Sequence, residues 1–229
     1  MSAADLSPDS SADGEAAGRW VRRKDARPGE ILDAALDLFV ARGFAATKVE
    51  DIARAAGVTA GTIYRYFGGK EDILKALIRE SFSPTLEEGE QLINQYTGTA
   101  AELLTEVVHT WWAVHGATRL SGIPKLMIAE ANNFPELARF HSEEVVARGE
   151  AVIAKALQYG IDRGEFRPMP LELAVKVVTA PVVMAMVWMH TEACHTAGLD
   201  IPKYLDEVIQ TLIYGLGARP AEQAERRER

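Results

Sequence analysis

The chain has 229 residues, 48% of them hydrophobic, 7% aromatic and 25% charged. That is long enough for one small and one larger domain and too apolar for a wholly disordered protein. The single cysteine, Cys194, excludes an intramolecular disulfide and suits a reducing, cytoplasmic location. A net charge of −8 excludes a uniformly basic nucleic-acid coat, but the charge is unevenly divided. Residues 1–18 hold four acids and no base, residues 19–80 hold twelve bases and nine acids, and the rest hold thirteen bases against twenty acids. Positive charge thus collects in residues 19–80, where phosphates would be neutralised.

Residues 1–20 are rich in Ser, Ala, Asp and Gly, and start without the basic and apolar runs of a secretory signal; they read as a disordered extension. Arg19 to Lys24 form a short basic arm, either a solvated linker or an arm along a minor groove. A first helix is predicted over 31–44, with Ile31, Ala35, Leu38 and Phe39 on one apolar stripe.

The stretch 47–74, TKVEDIARAAGVTAGTIYRYFGGKEDIL, carries the strongest signal. Thr47 and Glu50 stand in capping-box spacing, and Ile52, Ala53 and Ala56 give the following helix an apolar face. Gly57 falls where the chain must leave that helix with positive φ, Val58 plugs the turn, and Thr59 caps the next helix. Ala60 and Gly61 keep the start of that second helix narrow enough to approach phosphates or base edges. Ile63 faces inward, with Tyr66 or Phe67, while Thr62, Tyr64 and Arg65 turn hydrogen-bonding tips outward. A helical hairpin with a glycine turn would need the caps but not this outward set, and a helix held so fits the major groove of duplex DNA.

On these blocks, from ILDAALDLFVARGF through ATKVEDIARAAGV to GTIYRYFGGKEDIL, residues 28–75 resemble the DNA-binding domain of TetR-type (tetracycline-repressor-like) transcriptional regulators. The resemblance implies phosphate contacts from Thr47, Lys48, Tyr66 and Lys70. It implies contacts at or near base edges from Thr59, Ala60, Gly61, Thr62, Tyr64 and Arg65. Three departures are Arg65, at a variable site, Gly68-Gly69, which replaces the polar cap usual before the lysine, and an N-terminal extension longer than the family needs.

Beyond Lys70 the chain reads as all helix, without strand alternation or internal repeat. One helix is predicted to run from 70 to about 82 and end at Pro84; others follow over 86–96, 100–118, 124–131, 135–163, 171–197 and 202–217. The fold class is therefore all-α: a helix-turn-helix domain over 21–75, a helical bundle over 76–217 and a flexible tail over 218–229. Residues 126–144, LMIAEANNFPELARFHSEE, are similar to the effector domain of AefR-like TetR regulators. That resemblance implies an internal ligand cavity and pairing of two copies through the last two helices. Val178, Val182, Met186, Trp188 and Met189, with Ile209 from the last helix, are the candidate dimer contacts, because they offer more apolar surface than one small bundle needs. Residues 177–191 are uncharged, but they contain Thr179 and Pro181 and fall short of the ~18–20 residues of a membrane span.

Candidate cavity residues are Trp111, Trp112, Met127 and Phe134 for apolar walls, with His115, Glu130, Asn133 and His141 as polar handles. The expected partners are operator DNA, a small-molecule effector and a second copy of the chain, with no membrane. Two other functions compete. His190 and Cys194 lie four residues apart with His195 beside them, half of a metal site that a metal-dependent enzyme would need to complete; no G-x-S-x-G, H-E-x-x-H or Walker motif accompanies them. No metal or cofactor is expected. A DNA-binding protein without any ligand is the other alternative, against which the size of the second domain argues.

Overall fold

The computed structural model describes residues 28–191 and 198–217, so the N-terminal extension, the basic arm, Cys194, His195 and the tail lie outside the described residues. Ten α-helices are present among these residues, with no strand beyond an isolated bridge between Phe166 and Gly217.

The first three helices are α1 (Pro28–Arg42), α2 (Val49–Ala55) and α3 (Ala60–Tyr66). Ile31, Ala35 and Phe39 of α1, Ile52 and Ala53 of α2 and Ile63 of α3 close over one buried core. The spacing of four along α1 is that of a single helix face.

The next helix, α4 (Lys70–Gln95), corrects the expected stop at Pro84, which lies inside it. Proline in a helix interior costs about 3 kcal/mol. Here Phe82, Thr85, Leu86 and Ile93 continue the buried stripe across it, and that packing outweighs the lost backbone bond. The helix spans about 39 Å at 1.5 Å per residue and is shared: its start packs on α1, its later turns on the bundle. The expected domain boundary at 75/76 thus falls within a continuous rod.

The bundle comprises α5 (Ala100–Trp111), α6 (Gly122–Glu130), α7 (Pro135–His141), α8 (Ala147–Asp162), α9 (Leu171–Met189) and α10 (Ile201–Leu216). A capping box of Thr99 and Glu102 starts α5, and the Asp200 carboxylate caps α10 by accepting from the Lys203 amide. Single π-helical turns, Trp112–Gly116 and Ser142–Val146, follow α5 and join α7 to α8, so two predicted long helices are each interrupted once.

By length and composition α9 would reach across a membrane, but it packs against α8, α6 and α10. Its inward face is Val175, Val178, Val182, Ala185 and Met186. This corrects the dimer assignment. Val178, Val182 and Met186 are buried inside one protomer, and so is Ile209 of α10, so no partner reaches them. Trp188 is half-buried against the Tyr204 ring, 5.5 Å between centroids, and Met189 alone of the six is exposed. The large apolar residues of these two helices left exposed are Leu173, Val177, Val183, Met184 and Met189 of α9, with Tyr214 of α10.

Candidate nucleic-acid interface and effector cavity

Between α2 and α3 the chain turns at Gly57, whose φ of +68° is the left-handed value that favours glycine. The Thr59 hydroxyl accepts from the Thr62 amide (3.2 Å) and lies 3.0 Å from the Thr62 hydroxyl, fixing the start of α3. With Ile63 anchored below, Gly61, Tyr64, Arg65 and Tyr66 are all exposed, as is Lys48 in the preceding loop. The Arg65 guanidinium lies 4.7 Å over the Tyr66 ring and donates to its hydroxyl. That stack holds a long cationic side chain extended on the outer face at little entropic cost.

Two expected phosphate contacts are corrected. Thr47 is buried and its hydroxyl donates to the Gly43 carbonyl (2.8 Å), so neither a free hydroxyl nor the capping box with Glu50 exists; Lys48 occupies the N-cap without a side-chain bond. Lys70 points inward. Its ammonium donates to the carbonyls of Phe44 (2.8 Å), Ala45 (3.1 Å) and Thr47 (3.1 Å) and sits 4.5 Å from the Phe44 ring centroid. It gathers three carbonyls of the loop after α1 and ties the α1–α2 loop to α4. Gly69, ahead of it, is an N-cap without a side chain, and the Asp72 carboxylate accepts from the Gly68 amide instead.

A cavity of about 400 Å³ lies among α4, α5, α8 and α9. Of the expected cavity residues, only Trp111 and His141 line it. Burial keeps the His141 imidazole uncharged, with a pKa lowered to about 4. His115 and Trp112 sit behind the wall; His115 is fully buried, stacked on Phe82 at 4.4 Å and tilted against Trp111 at 4.2 Å, and neither ring nitrogen has a partner. Burial lowers its pKa to about 4 as well. Met127 is core, while Glu130, Asn133 and Phe134 face away from the cavity.

Those three belong instead to the joint between the two domains. The Glu130 carboxylate accepts from the Ala45 amide (3.0 Å) and from the Asn133 side-chain amide (3.2 Å), so a buried charge is satisfied by two donors. Phe134 meets Phe44 edge-on at 4.8 Å. Sequence reasoning missed two residues that the bundle brings to this joint. Arg119 bridges Asp33 and Asp37 of α1 at 2.7 Å each, and Gly122 lies where a Cβ would sit 2.5 Å from Val40. Pro124, two residues on in α6, lines the cavity, so one short helix touches both the ligand space and the DNA-binding unit.

Cavity residues passed over in the sequence include Gly89, Val145, Gly149 and Ile153. The run Val145, Gly149, Val152 and Ile153 has helical spacing and was a readable signal. His190 hydrogen-bonds to Ser121 (2.7 Å) and its carbonyl accepts from Lys125. No group of three or more metal-ligating side chains is assembled among the described residues.

Comparison with known proteins agrees with this geometry in both halves. Residues 31–77 match the family described as bacterial regulatory proteins, tetR family, and residues 95–199 match the tetracyclin repressor-like C-terminal domain. The fatty acid metabolism regulator protein of Bacillus subtilis (strain 168) is 27% identical over 199 residues, 86% of this chain and 98% of its own length. The transcriptional repressor KstR2 of Rhodococcus jostii (strain RHA1) is 25% identical over 193 residues, 82% of this chain and 92% of its own. The crystal structure of FadR from Bacillus subtilis in complex with stearoyl-CoA superposes with a TM-score of 0.70 at 26% identity, covering 83% of this chain and all of that one. With a groove-fitting α3, a cavity in the bundle and both halves matched, the chain belongs to the tetR family of bacterial regulatory proteins, as a DNA-binding, ligand-responsive transcriptional regulator.

Proposed function

We propose that the protein is a cytoplasmic, non-catalytic, homodimeric repressor that releases its operator when an apolar small molecule enters the cavity among α4, α5, α8 and α9. The observation that carries the reading is α6, with Pro124 at the cavity and Gly122 and Glu130 against the α1 region. A ligand that displaces α6 shifts the seat of α1 and therefore the aim of α3. Two α3 helices reading half-sites about 34–36 Å apart tolerate little misalignment, since several phosphate contacts fail together.

On this reading Thr59, Ala60, Gly61, Thr62, Tyr64 and Arg65 meet base edges, and Lys48 and Tyr66 meet phosphates. Thr47 and Lys70 act indirectly by holding the loop that carries Lys48. The exposed Leu173, Val177 and Met184 of α9 with Tyr214 of α10 form the pairing surface, taking the place of the buried residues first expected there. The Bacillus subtilis FadR complex with stearoyl-CoA supports an apolar ligand in a cavity of this fold.

The test starts by selecting bound fragments from source genomic DNA to obtain an operator. Apolar extracts are then screened for release of the complex. Glu130→Ala is expected to bind the operator within about threefold of the parent yet lose most of the ligand-induced release. Full release by the variant would show that the joint does not carry the signal.

A further inference from the structure

The cavity is lopsided in charge. Its inner wall is apolar and buried, with Phe82, Leu86, Ile153, Val182 and Met186. The charged residues that line it are Glu88, Glu106 and Glu150; no lysine or arginine does. The cations on the neighbouring faces of α8 and α9 are already engaged. Lys176 pairs with Glu150, Arg148 holds the Ser83 hydroxyl (3.1 Å) near Glu87 (3.9 Å), and Lys155 lies 3.9 Å from Glu90. Glu88 on α4 and Glu106 on α5 are exposed and have neither an ion pair nor a hydrogen bond among the described residues. They stand where the apolar cavity meets solvent, so a charged ligand end arriving there meets two bare carboxylates beside low-dielectric walls. Such a site attracts a cation and repels an anion, and salt screens the effect only in part.

We propose that this cavity selects an apolar molecule ending in a positively charged group, with the apolar body against the inner wall and the cation beside Glu88 and Glu106, and that it rejects carboxylate- or phosphate-ended molecules. The proposal rests on the effector reading above. It separates this chain from its relative crystallised with stearoyl-CoA, a ligand whose polar end carries phosphates.

The test uses four probes with one twelve-carbon tail, each below its micelle concentration: dodecyltrimethylammonium, dodecanol, dodecanoate and dodecanoyl-CoA. Binding to the full chain is read from tryptophan fluorescence, since Trp111 lines the cavity. Dodecyltrimethylammonium is expected to bind about tenfold tighter than dodecanol, and both anions at least tenfold weaker than dodecanol. In the E88Q/E106Q double variant the ammonium advantage should fall below threefold, with dodecanol unchanged. Should that variant fold poorly, added salt gives the same answer in the parent chain: the advantage shrinks while dodecanol binding holds. The proposal is overturned if either anion binds tightest, if no probe binds, or if the advantage survives both the double variant and high salt. Operator release is measured separately. Ammonium binding without release would sink the effector reading and leave the charge selectivity standing, whereas release by the CoA thioester alone would do the reverse.

Discussion

The DNA-binding unit and the cavity are built on opposite plans. The start and angle of α3 are set within a few residues of it, by the Thr59 cap and the Gly57 turn, and its Ile63 anchor reaches only as far as the core shared with α1 and α2. The cavity is assembled from four helices, and Phe82 and Met186, both in its wall, are about a hundred residues apart in the chain. Local construction makes the first unit rigid and modular, while non-local construction lets the second respond to what fills it. The two meet at a narrow seam in which Glu130 and Arg119 supply the polar bonds, while Lys70, 5.8 Å from the Phe134 ring centroid, holds the loop that Glu130 grips.

The largest expected effect tests how far the DNA-binding unit depends on that seam. Lys70→Ala removes three carbonyl partners at once and leaves the Phe44 ring uncovered. A loss of about 2–3 kcal/mol in stability is expected, since charge-assisted bonds contribute ~1.5–3 kcal/mol each and these are partly solvated. The melting temperature falls, and operator binding falls with it at all sequences. Unchanged melting with a reduced salt slope would restore Lys70 to a phosphate.

Next in size is the pairing surface. Val177→Glu with Met184→Glu places charge on exposed positions of α9, so the protomer should fold normally, judged by its melting curve. Sedimentation should report a monomer, and operator affinity should drop about a hundredfold, the ~2.7 kcal/mol cost of losing a second anchored half-site. A dimer that survives the double change would move the interface to another face.

Smaller still are changes on α3 and its loop. Tyr64→Ala is expected to cost about tenfold on the operator and little on random DNA, consistent with ~1–3 kcal/mol for a base-edge contact. Lys48→Ala should weaken both alike by a few fold and lower the salt slope by about one. Competition assays at two salt concentrations separate the pair. Equal losses on specific and random DNA for Tyr64→Ala would mean that another face of α3 reads the sequence.

The same contrast governs what could be read from the chain before its structure. The turn at Gly57, the cap at Thr59 and the outward set Tyr64 and Arg65 were legible, because each depends on neighbours within four residues. Thr47 was misread for an instructive reason. T-x-x-E is a capping pattern, yet helix α2 starts two residues later and the hydroxyl is drawn to Gly43 across a loop. Glu130 was read as a polar handle of the cavity, but its partner, the Ala45 amide, lies 85 residues away at the joint. Val178 and Val182 looked surplus to one bundle because nothing in the chain announces that α9 forms both a cavity wall and the protomer core. Pro84 was given its intrinsic preference, which packing on both sides overrode.

His115 offers the finest test of the cavity side. It is wholly buried between Phe82 and Trp111, two wall residues, with both ring nitrogens unpartnered. Burial lowers its pKa to about 4, against 6.5 when unfolded. Between those values the unfolded chain binds the proton and the folded chain does not, so this histidine's contribution is fully present above pH 6.5 and is lost as pH falls towards 4. His141, lowered to about 4 by the same cause, acts in the same direction. His115→Leu removes one of these two groups and two unsatisfied nitrogens while keeping an apolar side chain in place. Melting curves from pH 7 to 4.5 should therefore show a shallower acid slope than the parent, with stability at pH 7 equal or higher by about 1 kcal/mol. An unchanged acid slope would mean that His115 reaches solvent or a partner in solution, and that the wall between cavity and core is looser than its packing implies.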